Sequence, residues 1–147
     1  MKRHEAFIPL SRDHHEILVL AQLLKADAPA YPKLPTDIAG KLSYAMEVFD
    51  NRLMNHIQIE EELLFPKVVG HNAQIDQLIY MLKDDHTEIL VRFENLTSDL
   101  NILMAMDELG KLLEEHVRRE ERELFELLQK DLLEEALSAL KTHLYKH

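Results

Sequence analysis

Apolar residues recur along most of this chain at alternating steps of three and four, the spacing of one buried stripe on an α-helix. Between residues 42 and 63 the stripe consists of Leu42, Met46, Phe49, Leu53, His56, Glu60 and Leu63. A histidine and a glutamate therefore stand where leucines are expected. A buried carboxylate without a partner is costly or takes up a proton. The pair predicts a metal ion, another cation or a tight hydrogen-bond partner inside the fold.

The same pattern returns 60 residues later, with His116 and Glu120 in the places of His56 and Glu60. This second stripe reads Ile102, Met106, Leu109, Leu113, His116, Glu120 and Leu127. A shorter echo links RDHHEIL with DDHTEIL, which pairs Asp13 with Asp85 and His14 with His86. The chain is therefore interpreted as a duplicated helical hairpin, in which the first hairpin has the longer connection.

Turn residues divide these stripes into five helices. Three prolines between residues 29 and 35 predict an extended connection, Pro66 predicts the end of the second helix, and Gly70 predicts a turn. The predicted helices cover residues 11–26, 37–65, 73–95, 99–129 and 131–145, with the interior Gly110 tolerated in the fourth. We expect an all-α protein, an antiparallel up-down-up-down four-helix bundle with a short C-terminal helix, as one domain over residues 1–147.

Composition narrows the function. The formal charge of −10, from 17 Lys and Arg against 27 Asp and Glu, argues against nucleic-acid partners and anionic membrane surfaces. The absence of cysteine excludes disulfides, iron–sulfur clusters and thiolate zinc sites, so a bound metal must be held by histidine and carboxylate. No apolar run is long enough for a signal peptide or a membrane span, which predicts a cytoplasmic protein.

Each of the four long helices places one histidine on its inward stripe, and the second and fourth helices add a glutamate. The candidate ligands are His14, His56, Glu60, His86, His116 and Glu120. Imidazole and carboxylate together suit iron, zinc, manganese or copper. The set is too large for one tetrahedral zinc, so it predicts two metals, each held by two histidines and bridged by both glutamates. The alternative is a metal-free layer of hydrogen-bonded side chains that fixes helix register.

Taken together, the motifs PLSRDHHEIL, HIQIEEELLFP, DDHTEIL and HVRREERELF resemble the hemerythrin-like, or HHE cation-binding, family. The resemblance implies a four-helix bundle with a non-haem di-iron centre, its irons bridged by an oxygen species and two carboxylates. It carries the ligand role onto the same six residues. Oxygen carriers of the family place the last carboxylate at the position of Glu121, whereas internal symmetry with Glu60 favours Glu120.

The chain departs from those oxygen carriers at Leu90, where they have a second histidine one turn after the one on the third helix. The loss of that imidazole leaves a coordination place open, unless Glu61, Glu121 or a tyrosine such as Tyr44 fills it. The sequence DHH also leaves His15 as an alternative to His14.

The expected function is that of a metal-binding protein with two iron ions, oxo- or hydroxo-bridged, with zinc or manganese as alternatives. The resemblance implies sensing, binding or redox handling of oxygen, iron or reactive species, with dioxygen, peroxide or nitric oxide as candidate ligands. It favours a metal- or oxygen-binding protein over a classical enzyme. The other hypothesis is a metal-holding or metal-free helical interaction module without redox chemistry.

Overall fold

A computed structural model describes residues 2–145 as five helices, and it contains no strand within that range. The helices are α1 (Ile8–Leu24), α2 (residues 38–68), α3 (Ala73–Asn95), α4 (residues 102–131) and α5 (Glu134–Leu144). The predicted all-α bundle with a short C-terminal helix is confirmed. The predicted bounds of the domain, 1 and 147, lie outside the described residues. Among those that are described, no helix combines the length and the apolar character that crossing a membrane requires.

Side-chain contacts give the directions of the helices. The start of α1 lies beside the end of α4, where the rings of Phe7 and Phe125 stack with centroids 4.8 Å apart. The end of α1 lies beside the start of α4, where the Ala26 amide donates to Asp107. Arg92 of α3 likewise pairs with Glu108 of α4 at 2.7 Å. Neighbouring long helices are therefore antiparallel.

Several helix ends differ from the prediction by up to three residues, and two of these differences have a local physical reason. Pro66 does not end α2, because it falls in the first turn of a new α-helical segment, Phe65–Val68, where a missing amide hydrogen is tolerated. The helix stops instead before Gly70, whose φ of 90° is the left-handed conformation that glycine adopts easily. Helix α4 begins at Ile102, because residues 96–98 form a 3₁₀ turn and the Asn101 side chain accepts from the Met104 amide.

Three π-helical segments interrupt the long helices, Phe49–Leu53 and Glu60–Leu64 in α2 and Glu120–Leu124 in α4. Each adds a residue to the turn and so rotates the buried face by about one position. Leu63 and Leu127, expected on the stripes, are only partly buried, whereas Leu64 and Leu128 are fully buried. The predicted stripes of α2 and α4 are wrong at these points for that reason.

Two apolar clusters fill the bundle. The Phe125 cluster joins the start of α1, the end of α2, the start of α3, the end of α4 and α5. The Leu113 cluster joins the opposite ends of the four long helices. The candidate ligands lie between these clusters along the helices, so the polar layer is enclosed from both ends of the bundle.

Candidate metal centre

The six predicted ligands form the buried polar layer of the protein. Within residues 2–145, the buried polar or charged side chains are the same six that the helical stripes singled out, and each is at most 3% exposed: His14, His56, Glu60, His86, His116 and Glu120. Ordinary proteins rarely bury glutamate without a partner. The tertiary structure therefore brings all six residues together in the interior.

The six side chains form two overlapping groups, in each of which the potential ligand atoms lie within 4.8 Å of one another. One group has His14 and His56, the other has His86 and His116, and both include Glu60 and Glu120. Ligands about 2 Å from one ion are separated by roughly 3–4 Å, so this spacing suits ligation after small adjustments. The arrangement has the form of two metal positions that share two carboxylates.

All four imidazoles turn Nε2 towards the shared carboxylates. His14 Nε2 lies 2.6 Å from Glu120 Oε1, and His86 Nε2 lies 3.0 Å from Glu60 Oε1. On the other two histidines, His56 Nε2 is 3.3 Å from Glu60 Oε2 and His116 Nε2 is 3.6 Å from Glu120 Oε2, without hydrogen-bond geometry. The centre of the layer is thus a convergence of imidazole nitrogens and carboxylate oxygens.

Four atoms of this layer have no hydrogen-bond partner although they are fully buried: His56 Nε2, Glu60 Oε2, His116 Nε2 and Glu120 Oε2. A buried polar atom without a partner costs about 1–3 kcal/mol, and a charged one costs more. One unpaired nitrogen belongs to each group, and one unpaired oxygen belongs to each shared carboxylate. A cation between these atoms would satisfy all four, so the residues present fit a pair of metal ions.

A second set of carboxylates holds the outer nitrogen of each imidazole. Glu121 Oε2 lies 2.5 Å from His14 Nδ1, and Glu61 Oε2 lies 2.6 Å from His86 Nδ1. Each glutamate therefore binds the far side of a histidine rather than the shared centre. Each Nδ1 donates to its outer carboxylate, so Nε2 is the nitrogen that faces the centre and can bind a metal once it has lost its proton.

The remaining two histidines are held by aspartates that the sequence reasoning paired with each other but did not place at the site. Asp13 Oδ2 lies 3.0 Å from His56 Nδ1, and Asp85 Oδ2 lies 3.0 Å from His116 Nδ1. In both cases an aspartate on one helix of a hairpin orients the histidine of the other. The repeat of Asp13 as Asp85 was the signal in the sequence for this role.

Without a metal, the surrounding carboxylates favour the protonated forms of His56 and His86, whose pKa values are raised. Burial alone would lower the pKa of His86, but the hydrogen bond and the charge of Glu60 raise it to about 9. Burial likewise opposes a charged His56, yet the nearby Glu60 and its hydrogen bond with Asp13 hold its pKa well above the ordinary value. The pKa of Glu120 would rise on burial, but the charge of His116 and the hydrogen bond from His14 keep it well below its ordinary value. The layer can therefore hold positive charge between ionised carboxylates.

Phenylalanine rings cover the side of the layer that faces the Phe125 cluster. The Phe125 ring stacks on His14 with centroids 5.7 Å apart, and the Phe65 ring stacks on His86 at 5.9 Å. The two phenylalanines occupy matching positions of the sequence repeat. They limit ring rotation of the histidines and exclude water from that side.

Three other residues considered from the sequence are not among the fully buried side chains of the layer. His15 is exposed, and with Tyr44 it lines a surface groove of about 450 Å³ between α1 and α2. Leu90 is partly buried and packs against the Leu113 cluster. His15 does not belong to the two groups of candidate ligands.

Comparison with known proteins identifies one family. The family model described as hemerythrin HHE cation binding domain matches residues 9–128, which include all six buried polar residues and their four outer carboxylates. No curated protein and no solved structure matches the chain significantly.

Proposed function

Because the chain belongs to the hemerythrin HHE cation-binding domain family, we propose that its buried layer holds two metal ions. His14 and His56 would bind one ion, His86 and His116 the other, and Glu60 and Glu120 would bridge them. One observation carries this proposal. Two imidazole nitrogens and two carboxylate oxygens converge in the buried layer, and none of the four has a hydrogen-bond partner. The surrounding side chains leave these four atoms unpaired, whereas a pair of cations would satisfy them.

The outer carboxylates support ligation by preparing the imidazoles. Each histidine donates its Nδ1 hydrogen outward to Glu121, Asp13, Glu61 or Asp85, so its Nε2 lone pair points inward. A carboxylate behind an imidazole also raises its basicity, which strengthens its bond to a metal. Glu61 and Glu121 therefore serve as orienting groups in this proposal, and Glu120 takes the place of the fourth-helix ligand.

We propose iron as the metal, with zinc or manganese as alternatives, since nitrogen and oxygen ligands suit all three. A pair of iron ions would supply one-electron redox chemistry and coordination places for a small molecule. The proposed ligands are dioxygen, peroxide or nitric oxide, and the proposed role is their sensing, binding or redox handling, in the cytoplasm.

The enclosure of the layer favours small ligands over a large substrate. All six side chains are at most 3% exposed, and the apolar clusters close the bundle at both ends of the layer. Two surface grooves, of about 520 and 450 Å³, are lined by residues outside this set. These features favour a binding protein over an enzyme that acts on a bulky substrate.

A metal-free helical module is the competing function. Hydrogen bonds of His14 with Glu120 and of His86 with Glu60 satisfy half of the layer without any ion. Such a protein would use the polar layer only to fix the register of its helices. It predicts that added metal leaves the free energy of unfolding unchanged.

Anaerobic reconstitution with Fe²⁺, followed by desalting and elemental analysis, tests the proposal. We expect about two iron ions per chain, as in two-metal sites generally. Glu60→Gln keeps the side-chain shape but removes a shared charge, so we expect less bound iron. Glu62→Gln, an exposed neighbour on the same helix, should bind as the unmodified protein does. A protein that retains no stoichiometric metal, or a Glu60→Gln variant that matches Glu62→Gln, would contradict the proposal.

Optical spectroscopy tests the redox part separately. An oxo-bridged ferric pair absorbs in the near ultraviolet, and we expect these bands to change on reduction and on addition of peroxide, azide or nitric oxide. If two iron ions bind but these additions leave the spectrum unchanged, the protein is a metal-holding module.

A further inference from the structure

The N-terminal arm, residues 2–7, lies against α4 through the side chain of Arg3. Its guanidinium donates to the Glu121 backbone oxygen at 2.9 Å and to Gln129 Oε1 at 3.1 Å. It also lies 3.3 Å from Glu121 Oε1 and stacks over the Phe125 ring, 5.6 Å from the ring centroid. The Arg3 side chain is 20% exposed. Arg3 is therefore held to α4 by polar, charged and aromatic contacts at once.

Glu121 and Phe125, which Arg3 contacts, are also contacts of His14. Glu121 offers Oε1 to Arg3 and Oε2 to His14 Nδ1, so one carboxylate bridges the arginine and the histidine. The Phe125 ring contacts the Arg3 guanidinium, and it also stacks with the His14 imidazole at an interplanar angle of 18°. Arg3 therefore touches two groups that set the orientation of one candidate ligand.

We infer that Arg3 is a positioning residue for the metal position of His14 and His56, and that docking of the arm is coupled to occupancy of that position. This inference rests on the proposed function. The guanidinium pairs with Glu121 Oε1, and together with the Ser11 hydroxyl, which donates to Oε2, it restrains the carboxylate that faces His14. A ligand oriented in advance binds a metal with less reorganisation. Because coupling is reciprocal, an occupied metal position must hold the arm more firmly by the same factor.

The effect is confined to one metal position. Glu61 occupies the repeat position of Glu121 and holds His86, and within the described residues its ion pair is with His86 and with no lysine or arginine. The same glutamate–histidine pair therefore occurs twice in the duplicated chain, and Arg3 contacts only one of the two pairs. Arg3 should affect the position of His14 and leave the position of His86 unchanged.

Other contacts keep the arm in place when the Arg3 side chain is changed. The Tyr145 hydroxyl donates to the Ala6 carbonyl at 2.7 Å, and Lys141 of α5 pairs with Glu5 at 3.0 Å. A substitution at Arg3 thus alters the support of His14 without removing the whole arm. Lys2→Gln provides a matched control, because Lys2 has the same charge, lies in the same arm and is exposed.

Anaerobic Fe²⁺ titration in single-position variants is the first test. His86→Ala/His116→Ala retains the position of His14, and His14→Ala/His56→Ala retains the other. We expect Arg3→Gln to weaken binding about tenfold in the first background, the lower end of the range for groups that orient a ligand. It should have no effect in the second background. Arg3→Lys should restore part of the affinity, and Lys2→Gln should change nothing. Equal losses in both backgrounds, or none in either, overturn the inference.

Trypsin cleavage of the unmodified protein is the second test, and it needs no variant to fold. Cleavage after Arg3 requires the arm to leave α4, so its rate follows the population of undocked arm. We expect bound Fe²⁺ to slow this cleavage several-fold, because an occupied metal position favours the docked arm. Cleavage after Lys33, exposed in the connection between α1 and α2, should keep its rate.

The two failures are distinguishable. If the unmodified protein binds no Fe²⁺, the proposed function fails. If it binds two ions but cleavage after Arg3 is as fast as without metal, the coupling of the arm is refuted and the metal centre stands.

Discussion

Asp85 offers the sharpest test of the carboxylates that hold the outer nitrogens of the imidazoles, because one of its two oxygens accepts from both His116 and Arg119. Asp85 Oδ2 lies 3.0 Å from His116 Nδ1 and 2.8 Å from Arg119 Nη1, and the side chain is 16% exposed. Asp85→Asn keeps the shape and an acceptor oxygen but removes the charge. His116 then donates to a neutral amide instead of a carboxylate. The hydrogen bonds of the imidazole remain, but the field that makes its Nε2 a strong ligand is weaker.

The size of the effect follows from the kind of bond that is lost. A hydrogen bond to a charged group contributes about 1.5–3 kcal/mol and a neutral one about 1 kcal/mol. The difference is about 0.5–2 kcal/mol, and the middle of that range corresponds to a loss of affinity of roughly tenfold at the metal position of His116. Arg119 is partly exposed and can turn to solvent, so its lost ion pair adds little.

Anaerobic Fe²⁺ titration of the metal-free protein measures the two binding steps. We expect Asp85→Asn to weaken one step and Asp13→Asn, its repeat partner beside His56, to weaken the other. Asp84→Asn changes the same charge at the exposed neighbouring residue and should leave both steps unchanged. The reasoning is refuted if Asp84→Asn and Asp85→Asn lose the same affinity, or if neither loses any.

Two further predictions concern stability. In Gly110→Ala, the added Cβ would lie 2.6 Å from the Ala21 carbonyl oxygen of α1. Overpacking of about 1–3 kcal/mol should exceed the gain of up to about 1 kcal/mol in helix propensity, and a urea midpoint at or above that of the unmodified protein would contradict this. In the metal-free protein, the raised pKa of His86, about 9, contributes stability that is complete below about pH 6.5 and is lost as the pH rises through 9. The thermal midpoint should fall over that range, and His86→Gln should flatten the fall; an equal fall in the variant would refute the assignment to His86.

Much of the fold and of the candidate site could be predicted because helical periodicity is a property of the local chain. A residue three or four positions from a buried leucine lies on the same face wherever the helix packs. The stripes of α1 and α3 therefore predicted His14 and His86 as buried, and the duplication predicted that Glu120 would match Glu60. Gly70 and the three prolines marked turns for equally local reasons.

The π-helical segments could not be predicted, because a hydrophobic pattern with a constant period of 3.6 residues per turn does not indicate where a turn contains an extra residue. The segments that begin at Glu60 and Glu120 keep those carboxylates inside the layer and rotate the following residues, so that Leu64 and Leu128 are buried instead of Leu63 and Leu127. Packing against the other helices determines that choice. No pattern within one helix records it.

The contacts between helices are the other part that only the tertiary structure decided. That Asp13 holds His56, that Asp85 holds His116 and that Glu121 lies behind His14 depend on how far each helix is shifted along its neighbour and how it is rotated. Gly110 has the same explanation, since its missing side chain matters only because α1 passes so close. The sequence by itself determined which residues face inward. The shifts and rotations of the packed helices determined which of them meet, because these are set by the sum of all side-chain contacts in the core.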